Sequence, residues 1–314
     1  MRFGLQINPY TAGADGNVWD LTAQAAQIVD VSGFDSVWVY DHVLYEGGFA
    51  GHPEPEPALE CFTVLGALAA ITRRVRLGQL VTAVPYRNPA LVAKMATTLD
   101  HISHGRSILG LGAGWHRREY EGYGWGEFEP VPVRMRRLEE ALKVILALWT
   151  ASPASFDGEF YRLDAVKDDP PPIQRPHPPI MVGGSGERVS LRLAAQYAQM
   201  CNVSGGPERI AHLFEVLREH CERLGRPYAD ITRSVYITVM VGRDQAEADA
   251  KRRHLQAAVR GDGALAGTPE QLVEWLRGYA AAGCQHAILR MLDWAEIEPV
   301  RLFAEQVLPA LQSE

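Results

Sequence analysis

The sequence predicts an α/β protein, a (β/α)8 barrel of the TIM type with one insertion, and three observations carry that expectation. Strand and helix patterns alternate from end to end, the strands number about eight, and 314 residues suit a closed barrel. A doubly wound open sheet is the rival, but no GxGxxG turn follows the first strand.

Phe3–Ile7 reads as the first strand, and Val18–Val31, closed by Gly33, as the first helix. Ser36–Tyr40, Val75–Val81 and Ser107–Leu111 are the next strands, with Glu60–Thr72 and Pro89–Ser103 helical between them and a helix near Arg134–Trp149 after them. The rhythm resumes with strands Ile180–Val182, Met200–Val203, Ser234–Val241 and His286–Met291. Helices are expected over Val189–Tyr197, Pro207–Leu224, Gln245–Val259, Pro269–Ala282 and Glu296–Leu311.

The insertion, about residues 151–179, falls between the fourth helix and the fifth strand. It opens on a hairpin signal at Asp157–Gly158 and continues through DDPPPIQRPHPP, whose prolines cannot join the barrel ladder. An ordered excursion over the barrel rim is expected, a disordered linker being the alternative; Phe156, Phe160 and Tyr161 favour packing. Residues 1–314 then form a single domain.

The bulk properties narrow the function. The net charge of −7 disfavours attraction to nucleic acid or an anionic membrane. No stretch is apolar over a bilayer's width, and the chain opens into FGLQI without a signal-peptide pattern. Cys61, Cys201, Cys221 and Cys284 are far apart and form no CxxC pair, which fits a reducing cytoplasm and neither a disulfide frame nor a zinc site. His101 and His104 have no evident carboxylate or cysteine partner, so no metal is expected.

Strand ends are where a barrel places its chemistry. The second strand ends in SVWVYDHV, which puts Asp41 and His42 at such an end, as proton donor and acceptor or as a loop cap beside a structural histidine. The fourth strand runs into GLGAGW, where Gly112, Ala113 and Gly114 would let a flat, phosphate-bearing cofactor lie on bare backbone with Trp115 as a wall. After the fifth strand, Gly183, Gly184, Ser185 and Gly186 precede a helix and read as an anion turn, or as a turn that only packs tightly; Arg188 assists or is a surface residue. Glu119 either reaches the pocket or pairs with Arg117 or Arg118, and Arg290 either meets an anionic substrate or is paired in the core. Arg134, Arg136 and Arg137 with Glu139 and Glu140 read as a solvated helix face. The rim loops, residues 45–57 and 117–132, would choose the substrate; Tyr45, Phe49, Trp125 and Phe128 point to an apolar one or to loop packing.

The segments SVWVYDH, PYRNPALVAKMATTLDHISHGR, LGLGAGWHRREYEGYG, SFDGEFY and GGSGER, in this order and spacing, resemble the luciferase-like flavin and deazaflavin oxidoreductases over nearly the whole chain. Within that superfamily the resemblance is strongest to the coenzyme F420-dependent enzymes. It implies a TIM barrel in which Leu80, Val81 and Thr82 sit behind the cofactor ring, often through a non-proline cis peptide. Leu80 stands where such relatives commonly carry Gly, Cys or Ser, which leaves the peptide's geometry open. The resemblance also implies phosphate at Gly183–Gly186 and His42, aided by Asp41, near the reactive ring edge. A small-molecule substrate, a homodimer and a separate cofactor-reducing enzyme belong to the same implication. FMN with monooxygenase chemistry is the alternative, and a binding protein without catalysis a further one.

Overall fold

The computed structural model describes residues 1–7, 16–44, 57–258 and 263–312. In chain order the elements are β1 (Arg2–Gln6), α1 (Val18–Val31), β2 (Ser36–Val39), α2 (Cys61–Ile71), β3 (Arg76–Gln79), β4 (Thr82–Ala83), α3 (Pro89–Ile102), β5 (Ser107–Gly112), α4 (Arg117–Gly122) and α5 (Val131–Thr150). They continue with β6 (Ala154–Asp157), β7 (Arg162–Val166), β8 (Ile180–Gly183), α6 (Ser190–Tyr197), β9 (Met200–Ser204), α7 (Pro207–Leu224), β10 (Thr232–Val241), α8 (Gln245–Ala258), β11 (Ala264–Gly267), α9 (Pro269–Ala281) and β12 (His286–Met291). A last helical stretch, Glu298–Leu302, passes through a π turn at Phe303–Val307 into Leu308–Gln312.

Eight parallel strands close a barrel in the order β1-β2-β3-β5-β8-β9-β10-β12, with β12 pairing back onto β1. This is the (β/α)8 architecture that the sequence predicts. Both strand faces are buried because the helices cover the outside. In β1, Phe3 and Leu5 face the helical layer, where Phe3 meets Phe303 edge-on. In β2, Val37 and Val39 join that layer while Trp38 turns inward. The interior plug is Trp38, Ile108, Met181, Met200 and Ile288, with Leu80 and Val81 resting on it. Side chains alternate faces along each strand, so one strand serves both layers.

Two short strands escape the sequence reading. β4 pairs with the end of β5, Thr82 against Leu111 and Ala83 against Gly112. β11 pairs with β10 from Thr238 onward, beyond the last β9 partner at Tyr236, and lengthens the wall at the carboxyl end.

The insertion is ordered. β6 and β7 form the expected hairpin, and Glu140 on α5 accepts backbone hydrogen bonds from Glu159, Phe160 and Tyr161 at its turn. Past the hairpin, Asp168 accepts from Thr97 Oγ1 at 2.6 Å, and Asp100 accepts from the backbone of Ile173 and Gln174. Gln174 also reaches Ser107 and Arg76, at the amino ends of β5 and β3. The excursion therefore runs along α5 and α3 to the amino end of the barrel, not over the carboxyl rim. Its buried carboxylates, which need donors, are what hold it there.

Candidate active site

A cavity of about 530 Å3 opens at the carboxyl ends of the strands. Gln6, His42, Leu80, Gly112, Gly183, Asn202 and Arg290 each bring a strand end or the residues just past it to its wall. A parallel barrel collects these ends at one mouth, which is why residues far apart in sequence meet there.

Most of the expected site residues line this cavity: Asp41, His42, Leu80, Val81, Gly112, Ala113, Gly114, Trp115, Gly183, Gly184, Ser185 and Arg290. Thr82 does not. It is buried in β4 between Val81 and Ala83, both on the cavity, so strand alternation turns it away. Gly186 is exposed outside the lining, and Arg188 is exposed beside it. Tyr45 and Phe49 lie outside the described residues. Trp125 packs against Tyr86 with ring centres 4.5 Å apart, and Phe128 is buried beneath the Arg134 guanidinium, so loop packing accounts for both.

The peptide between Leu80 and Val81 is cis. Val81 then presses on the neighbouring strand ends: a Cβ on Gly112 would lie 2.6 Å from its Cγ2, and one on Gly183 2.9 Å from its Cγ1. A Cβ on Gly110 would lie 1.9 Å from the Gln79 carbonyl oxygen. The glycine spacing of β5 thus admits the end of β3, and only Gly112 and Gly114 of that run also open onto the cavity. Gly114 adopts φ +72°, which a residue with a side chain rarely does.

Asp41 and His42, adjacent in sequence, have separate partners. Asp41 Oδ2 accepts from Arg87 Nη1 at 2.7 Å and from the Ala83 amide at 3.1 Å, while Arg87 also reaches Glu60 at 2.6 Å. Burial pushes the Asp41 carboxyl up, opposed by Arg87 and the Ala83 amide. His42 Nδ1 instead lies 2.8 Å from Glu119 Oε2. That same oxygen accepts from the Tyr86 hydroxyl, and Oε1 accepts from the backbone amides of Val43 and of Leu44, the latter at 2.9 Å. Glu119 is fully buried behind His42 and absent from the cavity wall, its carboxylate taken up by His42, Tyr86 and the Val43 and Leu44 amides, while Arg117 binds Glu121. Burial alone would raise its carboxyl, but the hydrogen bonds from His42, Tyr86 and Leu44 prevail and hold it below the ordinary value. Burial, then Glu119, pushes the Tyr86 phenol up. His116 completes the cluster, its Nδ1 3.5 Å from Glu119 Oε2.

Sequence reasoning missed two things here. Arg134 is buried and lines the cavity, donating to the carbonyl oxygens of Ala113 and Gly114 over the Phe128 ring. It braces the glycine loop, whereas Arg136 and Arg137 are held by Glu159 and Glu129. The other is His116. Its spacing from Glu119, three residues apart at the start of α4, was the available signal.

At the inner end, Tyr236 donates to Gln6 Oε1 at 2.8 Å, and Asn202 Nδ2 donates to Ser234 Oγ at 3.0 Å. Arg290 is buried, and its Nη2 makes no hydrogen bond among the described residues.

The site is a cavity at the carboxyl mouth of a parallel barrel, with His42 in its wall and a carboxylate, Glu119, buried behind it. The chain belongs to the luciferase-like monooxygenase family, which it matches over residues 1–261. It is similar to an uncharacterized protein of Mycobacterium tuberculosis, 34% identical over 189 residues, and spans 56% of itself and 64% of that relative's length in the match. It is 28% identical to the F420-dependent glucose-6-phosphate dehydrogenase of Amycolatopsis mediterranei, over 94% of this chain and 95% of that one. The FMNH2-dependent dimethylsulfone monooxygenase of Pseudomonas putida is 32% identical over 53% of this chain and 44% of its own. Among solved structures, an F420-dependent secondary alcohol dehydrogenase in complex with an F420–acetone adduct superposes with a TM-score of 0.83 over 99% of both chains at 22% identity, a likeness of fold.

Proposed function

We propose that this chain is a deazaflavin-dependent oxidoreductase that transfers a hydride between coenzyme F420 and a small organic substrate. The observation that carries the reading is His42 in the wall of the cavity with Glu119 buried behind it. Among the described residues the lining holds acid–base groups but no side chain able to give or take a hydride, so a hydride has to come from a bound group. The relation to the F420-dependent dehydrogenase runs over nearly the full length of both chains, which favours F420 over FMN.

The residues present fit such a cofactor. Gly112 and Gly183 carry no side chain against Val81, and Trp115 stands half-exposed at the mouth with its ring 5.3 Å from His42. Leu80, Val81, Gly112, Ala113, Gly114 and Trp115 would hold the ring, and Gly183, Gly184 and Ser185 the phosphate. Bound there, the deazaflavin supplies the hydride donor or acceptor.

The chain's own part is acid–base chemistry and positioning. Glu119 fixes the His42 ring through Nδ1, so a proton passes between His42 and a bound substrate at Nε2. Asp41, held by Arg87, keeps an unbonded Oδ1 at the cavity for a donor on cofactor or substrate. Arg134 braces the loop at Ala113–Gly114. In our reading the protein is a homodimer, and a separate enzyme reduces its cofactor.

Anaerobic titration with oxidised F420 and, separately, FMN tests the assignment by fluorescence and calorimetry. Micromolar or tighter binding of F420 alone is the expected result. Preference for FMN would replace hydride transfer by monooxygenase chemistry, and binding of neither would remove the cofactor assignment.

A further inference from the structure

His42 in the cavity wall, with His116 and the buried Glu119 behind it, forms a donor set that proton transfer alone does not require. One donor atom each from His42, His116 and Glu119 lies within 4.8 Å of the other two. His42 Nδ1 and His116 Nδ1 converge on one oxygen, Glu119 Oε2, at 2.8 and 3.5 Å. His116 Nδ1 is buried and makes no hydrogen bond among the described residues. Donors of a tetrahedral zinc-type site stand about 3.4 Å apart, given metal–ligand distances near 2.0–2.1 Å. The cluster is therefore within side-chain adjustment of that geometry.

We propose that His42, His116 and Glu119 bind a divalent transition-metal ion, of which Zn2+ is the fitting example, and that the bound ion inhibits turnover. Two imidazole nitrogens and one carboxylate oxygen make a three-protein-ligand set, which leaves the fourth tetrahedral position for a water. Glu119 is already oriented for it: Oε1 is fixed by the Val43 and Leu44 amides, and Tyr86 supports Oε2 from behind. Such outer partners are what hold a metal-binding carboxylate in place.

The inhibition follows from which nitrogen is taken. An ion on Nδ1 takes the place of the proton shared with Glu119, and the neutral ring then carries its single proton on Nε2 instead. His42 then has no lone pair with which to accept a proton from a substrate. This half rests on the role proposed above for His42; binding of the ion does not.

The test uses the full chain, apo and loaded with its cofactor. Calorimetric titration of the apoprotein with Zn2+ should give one ion per chain, and Co2+ should give the intense visible absorption of a tetrahedral site. His116→Ala should weaken Zn2+ binding at least tenfold and relieve inhibition, with metal-free turnover unchanged. His116→Gln, closer in size, serves if the alanine variant loses stability. His212 and His220 sit with Glu187 on the surface, so His212→Ala is the control for stray binding. Zn2+ binding unaffected by both His116 variants, or lost in His212→Ala, would overturn the site. Binding lost in the His116 variants without inhibition of the wild type would keep the site and overturn its effect. Failure of the cofactor titration would leave the Zn2+ and Co2+ measurements standing.

Discussion

The barrel carries a histidine at each end, and their surroundings differ in kind. His286 begins β12 at the amino end, 2.9 Å from Ser36 Oγ, edge-on to Trp38 and near Arg2 and Arg76. Burial first, then the two arginines, pushes it down to about 3, so it is neutral in the fold. His42 follows β2 at the carboxyl end and meets a carboxylate instead, Glu119, with the cavity before it. A hydroxyl partner among cations makes a histidine a packing residue; a carboxylate behind it and open space in front make it a proton carrier. In a barrel the amino end serves stability and the carboxyl end serves chemistry.

The largest effects should separate the two histidines. His42→Ala should lower turnover about 10²–10⁴-fold, the usual worth of a positioned acid–base group, with cofactor affinity and Tm nearly unchanged. Steady-state kinetics beside calorimetric cofactor binding reads this directly. Turnover within threefold of wild type would end the proton-carrier role.

His286→Gln should do the reverse, leaving kcat alone and changing the acid limb of stability. The folded state refuses a proton that the unfolded chain takes up below about pH 6.5. Stability is therefore complete above that pH, falls as pH drops towards the folded value of about 3, and levels off below it. The loss across that window is on the order of 3–5 kcal/mol at about 1.4 kcal/mol per unit. Tm measured between pH 7 and 4 should fall less steeply in His286→Gln than in wild type; parallel slopes would refute the burial argument.

The same contrast explains what was legible in the sequence. The barrel and the insertion's hairpin are written in local pattern: short apolar strands alternating with helices, and the Asp157–Gly158 turn. His42, the GLGAGW loop and Gly183–Ser185 follow from the rule that strand ends gather at one mouth. What failed depends on partners distant in sequence. Glu119 joins His42 across 77 positions, so nothing local separates it from a surface glutamate beside two arginines. Arg134 shares a charge pattern with Arg136 and Arg137, and only the fold places Phe128 and the Ala113–Gly114 carbonyls beside it. Thr82 failed for lack of one local fact, which face it takes in a two-residue strand.

Glycines sharpen the comparison with smaller effects. Inside the barrel, a Cβ on Gly78 would lie 2.4 Å from the Trp38 ring, which fills the interior. At the carboxyl end, a Cβ on Gly112 would meet Val81 Cγ2 at 2.6 Å. Both alanine variants overpack and should lose about 1–3 kcal/mol, read from denaturant midpoints at constant m-value. They should part in function, because relief differs. The Trp38 indole is fully buried and anchored to Ser36 Oγ at 2.7 Å, so strain from Gly78→Ala is taken up first inside the barrel and reaches the cavity only through Leu80 and Val81, which rest on the plug. Val81 is partly exposed on the cavity wall, and its way out from Gly112→Ala is into the space assigned to the cofactor ring. Gly112→Ala should therefore weaken cofactor binding about tenfold, while Gly78→Ala leaves it within twofold. Equal affinities in the two variants would mean that the wall at Val81 does not face the cofactor, and the ring would have to be placed elsewhere in the cavity.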